Sequence, residues 1–537
     1  MLDVLIKNGF IVDGSGMPGY HGDVGIFNGR ICLSKELPST AKRILNADGL
    51  VVSPGFIDIH AHTDHLVFVN PTCESKVSQG VTTEISGNCG ESAAPRGGLH
   101  CDESMCDWGP DHGVIPDWQN MRGFFDRLSA LPMSINFATY VGHGTIRGVV
   151  MGYDDREPTP EEMSSMRALV RDAMEAGAFG LSTGLVYPPG CYAKTDELIM
   201  LCKVVAEYGG IYSTHIRNEA SNLIDAVEEA MCIGEESGAS VQIAHHKACG
   251  KLAKGKVAES LAMIDDARVG GVDVWADQYP YSATCTGLSS ILPHWAHDGG
   301  SDALMRRLLD PITYRSIREY LLIEASNSGR IADTGGWDSI VVNHIYNPKN
   351  GSYEGLSMSE IADVMCLHPA DAMIRLLIEE KGNVGIIHFM INEDDIRHVM
   401  KHPNVLIGSD STARSTTGIM GQGKPHPRAF GTFPRVLGKY CRDERLFSLE
   451  EAISKMTGKT AARLELVNRG FIRDDYCADL AIFDLGKIAD MADYRDPHRY
   501  ALGISQVIVN GDIVFEDGAV CELGESSPGK ILRRTIR

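Results

Sequence analysis

The chain opens with four short runs, 4–12, 22–27, 30–34 and 50–53, in which apolar and polar positions follow a strand pattern between Gly and Asn turns, with no helical period among them. Such runs predict the strands of a small β unit. The pattern returns only at the other end, at 478–483 and 504–509, the latter followed by the turn Asn510-Gly511-Asp512. Two half-sets of strands at opposite termini can pair only if the chain ends meet. The sequence therefore predicts a discontinuous β domain, 1–53 with 472–537, flanking one inner domain, 54–471.

Within the inner domain, apolar strand-like runs at 55–60, 81–86, 135–141, 178–182, 211–215, 241–245, 272–278 and 405–410 alternate with other segments. Four of these, 161–176, 196–208, 223–237 and 256–267, carry apolar residues at three and four spacing and predict helices. Strand–helix alternation is the signature of parallel βα units, and eight of them close a (β/α)8 barrel of the TIM type. The interval 283–401 is too long for one connection, so it should hold extra helices, including a lid over the barrel mouth. The expected fold class is thus α/β: a barrel with a small discontinuous β domain.

Charge and cysteine usage narrow the partners. Lys and Arg total 50 against 71 Asp and Glu, a net charge of −21 over 537 residues, which argues against nucleic acid or an anionic membrane as partner. The first residues lack a signal-peptide pattern and no window of about 18 apolar residues occurs. The 14 cysteines show no framework spacing and read as reduced thiols, which gives a cytoplasmic expectation. Homo-oligomerisation is left open by the sequence.

The run Phe56-Ile57-Asp58-Ile59-His60-Ala61-His62 carries the first chemistry, because a period of two places His60 and His62 on one face of a strand. The ends of the other strands offer Cys89 in Ser86-Gly87-Asn88-Cys89-Gly90, His215, His245 with His246, and Asp410 in Gly408-Ser409-Asp410. In a (β/α)8 barrel those ends converge on one mouth. Each residue has an ordinary alternative as a core histidine, a buried thiol or a helix-capping carboxylate; their convergence points to a metal site. A thiolate and two imidazoles, as Cys89, His215 and His245 can supply, suit zinc with a fourth position open. Zinc activates water and polarises a carbonyl, which together describe hydrolysis. Asp410 has the type and place to accept the water's proton and pass it to a leaving nitrogen.

With these residues in place, the chain resembles the amidohydrolase superfamily and, within it, the D-aminoacylases or N-acyl-D-amino-acid deacylases. Beyond the runs above, the matching motifs are Gly142-His143-Gly144-Thr145, Thr214-His215-Ile216-Arg217, Ala244-His245-His246-Lys247, Tyr279-Pro280-Tyr281, His426-Pro427-Arg428 and Gly431-Thr432-Phe433-Pro434-Arg435, spread over nearly the whole chain. The resemblance implies a tight zinc on Cys89, His215 and His245, a second and weaker metal position lined by His60 and His62, and Asp410 as catalytic acid/base. It assigns the carboxylate of an N-acyl amino acid substrate to Lys247, Tyr281 and Arg428. For Lys247 and Arg428 the plain alternative is an ion pair. Arg217 reads better as a structural partner of Glu219 or a neighbour. The hydantoinase and dihydroorotase branch uses a carboxylated lysine on the fourth strand, and Gly180-Leu181-Ser182-Thr183-Gly184 has none.

The Ser/Thr/Gly-rich stretch 411–424 is longer than is usual in the family. Family members that take acidic D-amino acids place an arginine shortly after the tyrosine matched by Tyr281, yet 282–305 holds neither Arg nor Lys. Leu288, Ile291, Leu292, Trp295, His294 and His297 stand there instead, Trp295 suiting either the pocket or the lid core. A buried carboxylate without a cation is costly, so the window favours neutral or apolar side chains. The expected activity is zinc-dependent hydrolysis of N-acyl-D-amino acids. Another amide substrate (a cyclic amide, a carbamoyl compound or a D-residue dipeptide) and a non-catalytic barrel scaffold are the rivals.

Overall fold

The computed structural model describes residues 1–34, 37–98, 114–326, 329–523 and 527–535. The two chain ends meet in a nine-stranded sheet. Its join is the antiparallel pair Val51–Pro54 with Leu480–Phe483, in register Ser53 to Ala481. Val4, Ile6, Val24, Ile26, Val52, Leu480, Ile482 and Ile508 form its apolar cluster. The strand Ala41–Asn46, paired in parallel with Leu2–Ile11, was not expected; its exposed, basic Lys42 and Arg43 mask the alternation.

Two parallel sheets carry the middle of the chain. One orders Phe56–Asp58, Val81–Ser86 and Asn136–Thr139; the other orders Val141–Gly142, Gly180–Gly184, Ile211–His215, Ser240–Ile243, Val274–Gln278 and Val405–Ile407. Backbone bonds join them at both ends: Phe179 N–H donates to Thr139 O (2.9 Å), and Asp410 N–H to His60 O (2.8 Å). The first strand stops at Asp58 rather than residue 60. Beyond it the chain bonds to both neighbours in turn, Ala61 N–H to Ile85 O (2.9 Å) and His62 N–H to Ser411 O (3.2 Å). The helices Pro160–Ala176, Thr195–Glu207, Leu223–Ser237 and Lys256–Val269 fall within two residues of expectation. Local chemistry explains the first: Thr159 and Glu162 form a capping box, Pro160 opens the helix and Gly177 closes it at φ 108°.

The interval 283–401 holds the extra helices expected of it and, beyond them, a sheet. Ala283–Gly287, Val384–Phe389 and Ile340–Ile345 make a three-stranded antiparallel sheet. Helices including Gly300–Leu309, Pro311–Glu324 and Pro369–Glu379 pack on it, with Leu304, Leu308, Ile317, Leu321, Ile374 and Ile386 in a core of their own. The helix Glu393–Lys401 belongs elsewhere: Ile396, Val399 and Met400 pack in the main core with Val257 and Leu261. Among the described residues no helix is long and apolar enough to cross a membrane.

A fully buried ionic group ties the first parallel strand to the last. Asp58 accepts from Lys76 Nζ (2.7 Å), Ser409 N–H (2.8 Å) and Ser409 Oγ (2.5 Å), and Lys76 also donates to Ser411 O (2.9 Å). Removing Asp58 leaves the buried Lys76 charge, among the described residues, only the longer carboxylate contact to Glu84 (3.5 Å). Asp58→Ala should therefore lower unfolding free energy by about 3–5 kcal/mol, read as a shift of the urea midpoint; an unchanged midpoint would show that Lys76 finds compensation elsewhere.

Candidate active site

The parallel strands deliver their chemically active side chains to one cavity of about 1380 Å³. Cys89 reaches it through a tight turn: Gly87 has φ 74°, and a Cβ there would lie 2.2 Å from Tyr140 O. Asn88 pins the turn, donating to Ile85 O (2.9 Å) and accepting from Ser213 Oγ (3.1 Å). Cys89, His245 and Asp410 all adopt positive φ, at 53°, 35° and 51°. Left-handed backbone at non-glycine residues is strained, and here it coincides with the site.

Ligand-type atoms form two clusters, each within 4.8 Å: His60, Cys89, His245 and Asp410, and His215, Glu219 and His245. His245 belongs to both. Cys89 Sγ lies 3.4 Å from His60 Nε2 and 3.4 Å from His245 Nε2. Asp410 Oδ1 is 3.5 Å from His60 Nε2 and 3.0 Å from His62 Nε2. His60 thus stands in the centre beside Cys89, rather than only with His62 at a second position. His62 contacts Asp410 at the edge. His215 meets His245 edge-on with ring centroids 4.3 Å apart.

Two carboxylates absent from the expected set organise these rings. Asp277, 1% exposed, contacts His60 Nδ1 (3.2 Å) and accepts from His245 N–H (2.8 Å) and Gln242 Nε2 (2.9 Å). Such a partner fixes the far nitrogen, leaving Nε2 of His60 aimed at Cys89 and Asp410. Burial works against the Asp277 carboxylate, but His60 and the bond from His245 N–H bring its pKa down. Glu219 contacts His245 Nδ1 (3.0 Å), His215 Nε2 (3.7 Å) and Lys247 Nζ (2.5 Å). Burial opposes its charge too, and Lys247 with the two histidines outweighs that. Nothing local in the sequence marks either residue, since Asp277 reads as a strand position and Glu219 as a loop acid.

The donor set fits a metal ion. Burial and Asp410 push the Cys89 thiol well up, so its thiolate needs an adjacent cation. His215 is held well below its usual pKa by burial and therefore neutral, the ligating form, and its Nδ1 is buried without a hydrogen-bond partner. Asp410 ionises readily in spite of burial, because Arg428 Nη1 sits 2.7 Å from Oδ2.

Around this centre the other expected residues divide. Arg428 lines the cavity with its N–H donating to His426 Nδ1 (3.0 Å), while His426 Nε2 contacts Ala283 O (3.0 Å). Lys247 lines it too, engaged with Glu219 and His245. Tyr281 does not: its hydroxyl lies 3.5 Å from Asp490 and its ring under Arg435. Tyr279 takes the place expected of it, with its ring 4.7 Å from the Arg428 guanidinium carbon and its buried hydroxyl unpartnered. His246 turns away to Ser260 Oγ (2.8 Å), and His143 to Glu197 (2.8 Å). Arg217 is structural as expected, but pairs with Glu229 rather than Glu219.

Within 282–305, Leu288 and Leu292 belong to the core of the insertion, Ile291, His294 and His297 line the cavity, and Trp295 is 42% exposed and outside both. The cavity draws cations from beyond that window, notably Arg330, Lys381 and Arg414. This removes the premise on which neutral side chains were favoured.

A family model described as the amidohydrolase family matches residues 43–287 and 364–515. A D-aminoacylase of Alcaligenes xylosoxydans xylosoxydans is 36% identical over 534 residues, covering 99% of this chain and 98% of that protein. The crystal structure of an N-acyl-D-glutamate deacylase from Bordetella bronchiseptica, complexed with zinc and a phosphonate mimic of the tetrahedral intermediate, is similar at TM-score 0.83 and 33% identity over 99% of both chains. A D-aminoacylase structure with a binuclear metal centre is similar at TM-score 0.82 and 34% identity, covering 99% of this chain and all of that one.

Because His245 serves both clusters, its loss should strip the site more fully than any other. Metal analysis of purified variants should give about one tightly held divalent ion per wild-type chain, little in His245→Ala or Cys89→Ala, and near wild-type content in His62→Ala. Undiminished metal in Cys89→Ala would remove the thiolate from the ligand set.

Proposed function

The chain belongs to the amidohydrolase family, and we propose that it hydrolyses the amide bond of N-acyl-D-amino acids to a carboxylate and a free D-amino acid, with zinc as its cofactor. One observation carries the reading. Metal donors, a poised carboxylate and a buried guanidinium share one cavity, with Asp410 touching both sets. Zinc held there by Cys89 and His245, with His215 or His60 completing the set, would supply an acidified water and polarise a carbonyl.

The chain's own residues do the rest. Asp410, ionised in the free site, accepts the proton of the attacking water and returns it to the amide nitrogen as that bond breaks. His62 orients the Oδ1 edge of this carboxylate at 3.0 Å. Arg428 binds the substrate's α-carboxylate, with Tyr279 and Lys247 beside it. The guanidinium rests on Asp410 until substrate arrives, so binding frees Asp410 for proton transfer.

The strand seams at Thr139 and at His60 support a single (β/α)8 barrel over 54–471, with 1–53 and 472–537 as a separate small domain. The described cysteines carry free thiols, which supports a reducing, cytoplasmic location.

Asp410→Asn should retain metal and fold while kcat falls about 10²- to 10⁴-fold, because an amide cannot take up the proton. A kcat close to wild type at equal metal content would assign the proton to another group. Wild-type protein should turn over N-acetyl-D-leucine and leave N-acetyl-L-leucine largely intact; the reverse would overturn the substrate class.

A further inference from the structure

Arg414 lies four residues beyond Asp410, at most ~14 Å along the chain, in the long Ser/Thr/Gly-rich stretch after the last parallel strand. Four arginines line the cavity, and three are engaged. Arg217 pairs with Glu229, Arg428 with Asp410, and Arg330 donates to Ser290 O and Ile291 O. The Arg414 guanidinium, among the described residues, has neither a carboxylate nor a hydrogen-bond acceptor. Burial pushes its pKa down, and the thiol of Cys285, the phenol of Tyr346 and the imidazole of His498 are close enough to interact with its charge. Arg414 lines the same cavity as Cys285, Asp410 and Arg428.

Its backbone is held on both sides. Arg414 N–H donates to Ser75 Oγ (2.8 Å) and Ser75 N–H to Arg414 O (3.0 Å), while Ala413 N–H donates to Thr63 Oγ1 (3.1 Å) and Thr412 Oγ1 to His62 O (3.0 Å). A cation fixed in a cavity wall without a counter-charge is unfavourable unless an anion arrives with the ligand. Guanidinium is suited to receiving a carboxylate.

We propose that Arg414 forms a second anion subsite, so that the preferred substrates are N-acyl-D-amino acids bearing a second carboxylate besides the one held at Arg428. That carboxylate belongs to the side chain or to the acyl group. The inference rests on the hydrolase reading above and names its substrate class.

Matched pairs of nearly equal shape test it: N-acetyl-D-glutamate against N-acetyl-D-glutamine for the side chain, and N-succinyl-D-leucine against N-butyryl-D-leucine for the acyl group. In wild-type protein kcat/KM should favour the charged member of at least one pair by about tenfold or more. The pair that shows it identifies the source of the anion. Arg414→Met should collapse that ratio at least about tenfold, and Arg414→Lys should restore part of it. A merely structural role would lower both members together and leave the ratio unchanged, which would overturn the subsite. So would a wild-type preference for the neutral member in both pairs, a result that needs no variant to fold. No turnover of any member would mean failure of the hydrolase reading itself, and the subsite would fall with it.

Discussion

The buried carboxylate of Asp58 is the constraint on which the site depends. It stands at the end of the first parallel strand and takes bonds from Lys76 and from both the backbone and the hydroxyl of Ser409, which precedes Asp410. His60 lies two residues beyond Asp58, and its carbonyl accepts the Asp410 N–H. The first and last parallel strands, about 350 residues apart in sequence, are thereby held in one register, and the relative position of His60, His62 and Asp410 follows. Ionic groups of this kind contribute little net stability compared with a packed apolar core, but they tolerate few alternative arrangements.

Much of this was legible in the chain. The period of two placed His60 and His62 together, and the parallel βα alternation brought Cys89, His215, His245 and Asp410 to one end. What remained hidden was non-local or broke a local period. In Tyr279-Pro280-Tyr281, alternation would put both rings on one side. The strand ends at Gln278, however, and Tyr281 N–H bonds back to Tyr279 O (3.1 Å), so a tight turn sends Tyr281 to Asp490 and leaves Tyr279 in the cavity. Ala283–Gly287 consists of five small or β-branched residues with no apolar face of its own, and its partner Val384–Phe389 lies some hundred residues on. No window of sequence contains that pairing. Asp277 and Glu219 are ordinary acids until the fold sets histidines against them.

Cys89, His245 and Asp410, three of the fifteen described non-glycine residues at positive φ, hold strain at the site itself. Each such conformation costs about 1–3 kcal/mol, and each occurs where a strand must turn sharply to aim one side chain at a common point. The surroundings offset it. Asn88 braces the turn before Cys89, Asp277 takes the N–H of His245, and the His60 carbonyl takes that of Asp410. The candidate ligand atoms are in this way already set in place, so little ordering would remain to oppose metal binding.

The cavity wall has two origins, and they divide the work. The groups proposed to hold metal and move the proton come from ends of parallel strands locked by buried hydrogen bonds. Much of the remaining cavity wall comes from the insertion and from the stretch after Asp410: Cys285, Ile291, Asn343, Arg330 and Arg414. Residues 288–363, which include much of the insertion's separate core, lie outside the segments matched by the family model. A core that packs independently can change its cavity-facing residues without moving Asp58, Asp277 or the strands they tie. Chemistry is thus fixed by the scaffold, while substrate choice is open to variation in elements that do not hold the scaffold together. It is also why a short window after the tyrosine motif was a poor guide to the charge of the cavity wall: Arg217, Lys247, Arg330, Lys381, Arg414 and Arg428 all enter from elsewhere in the chain.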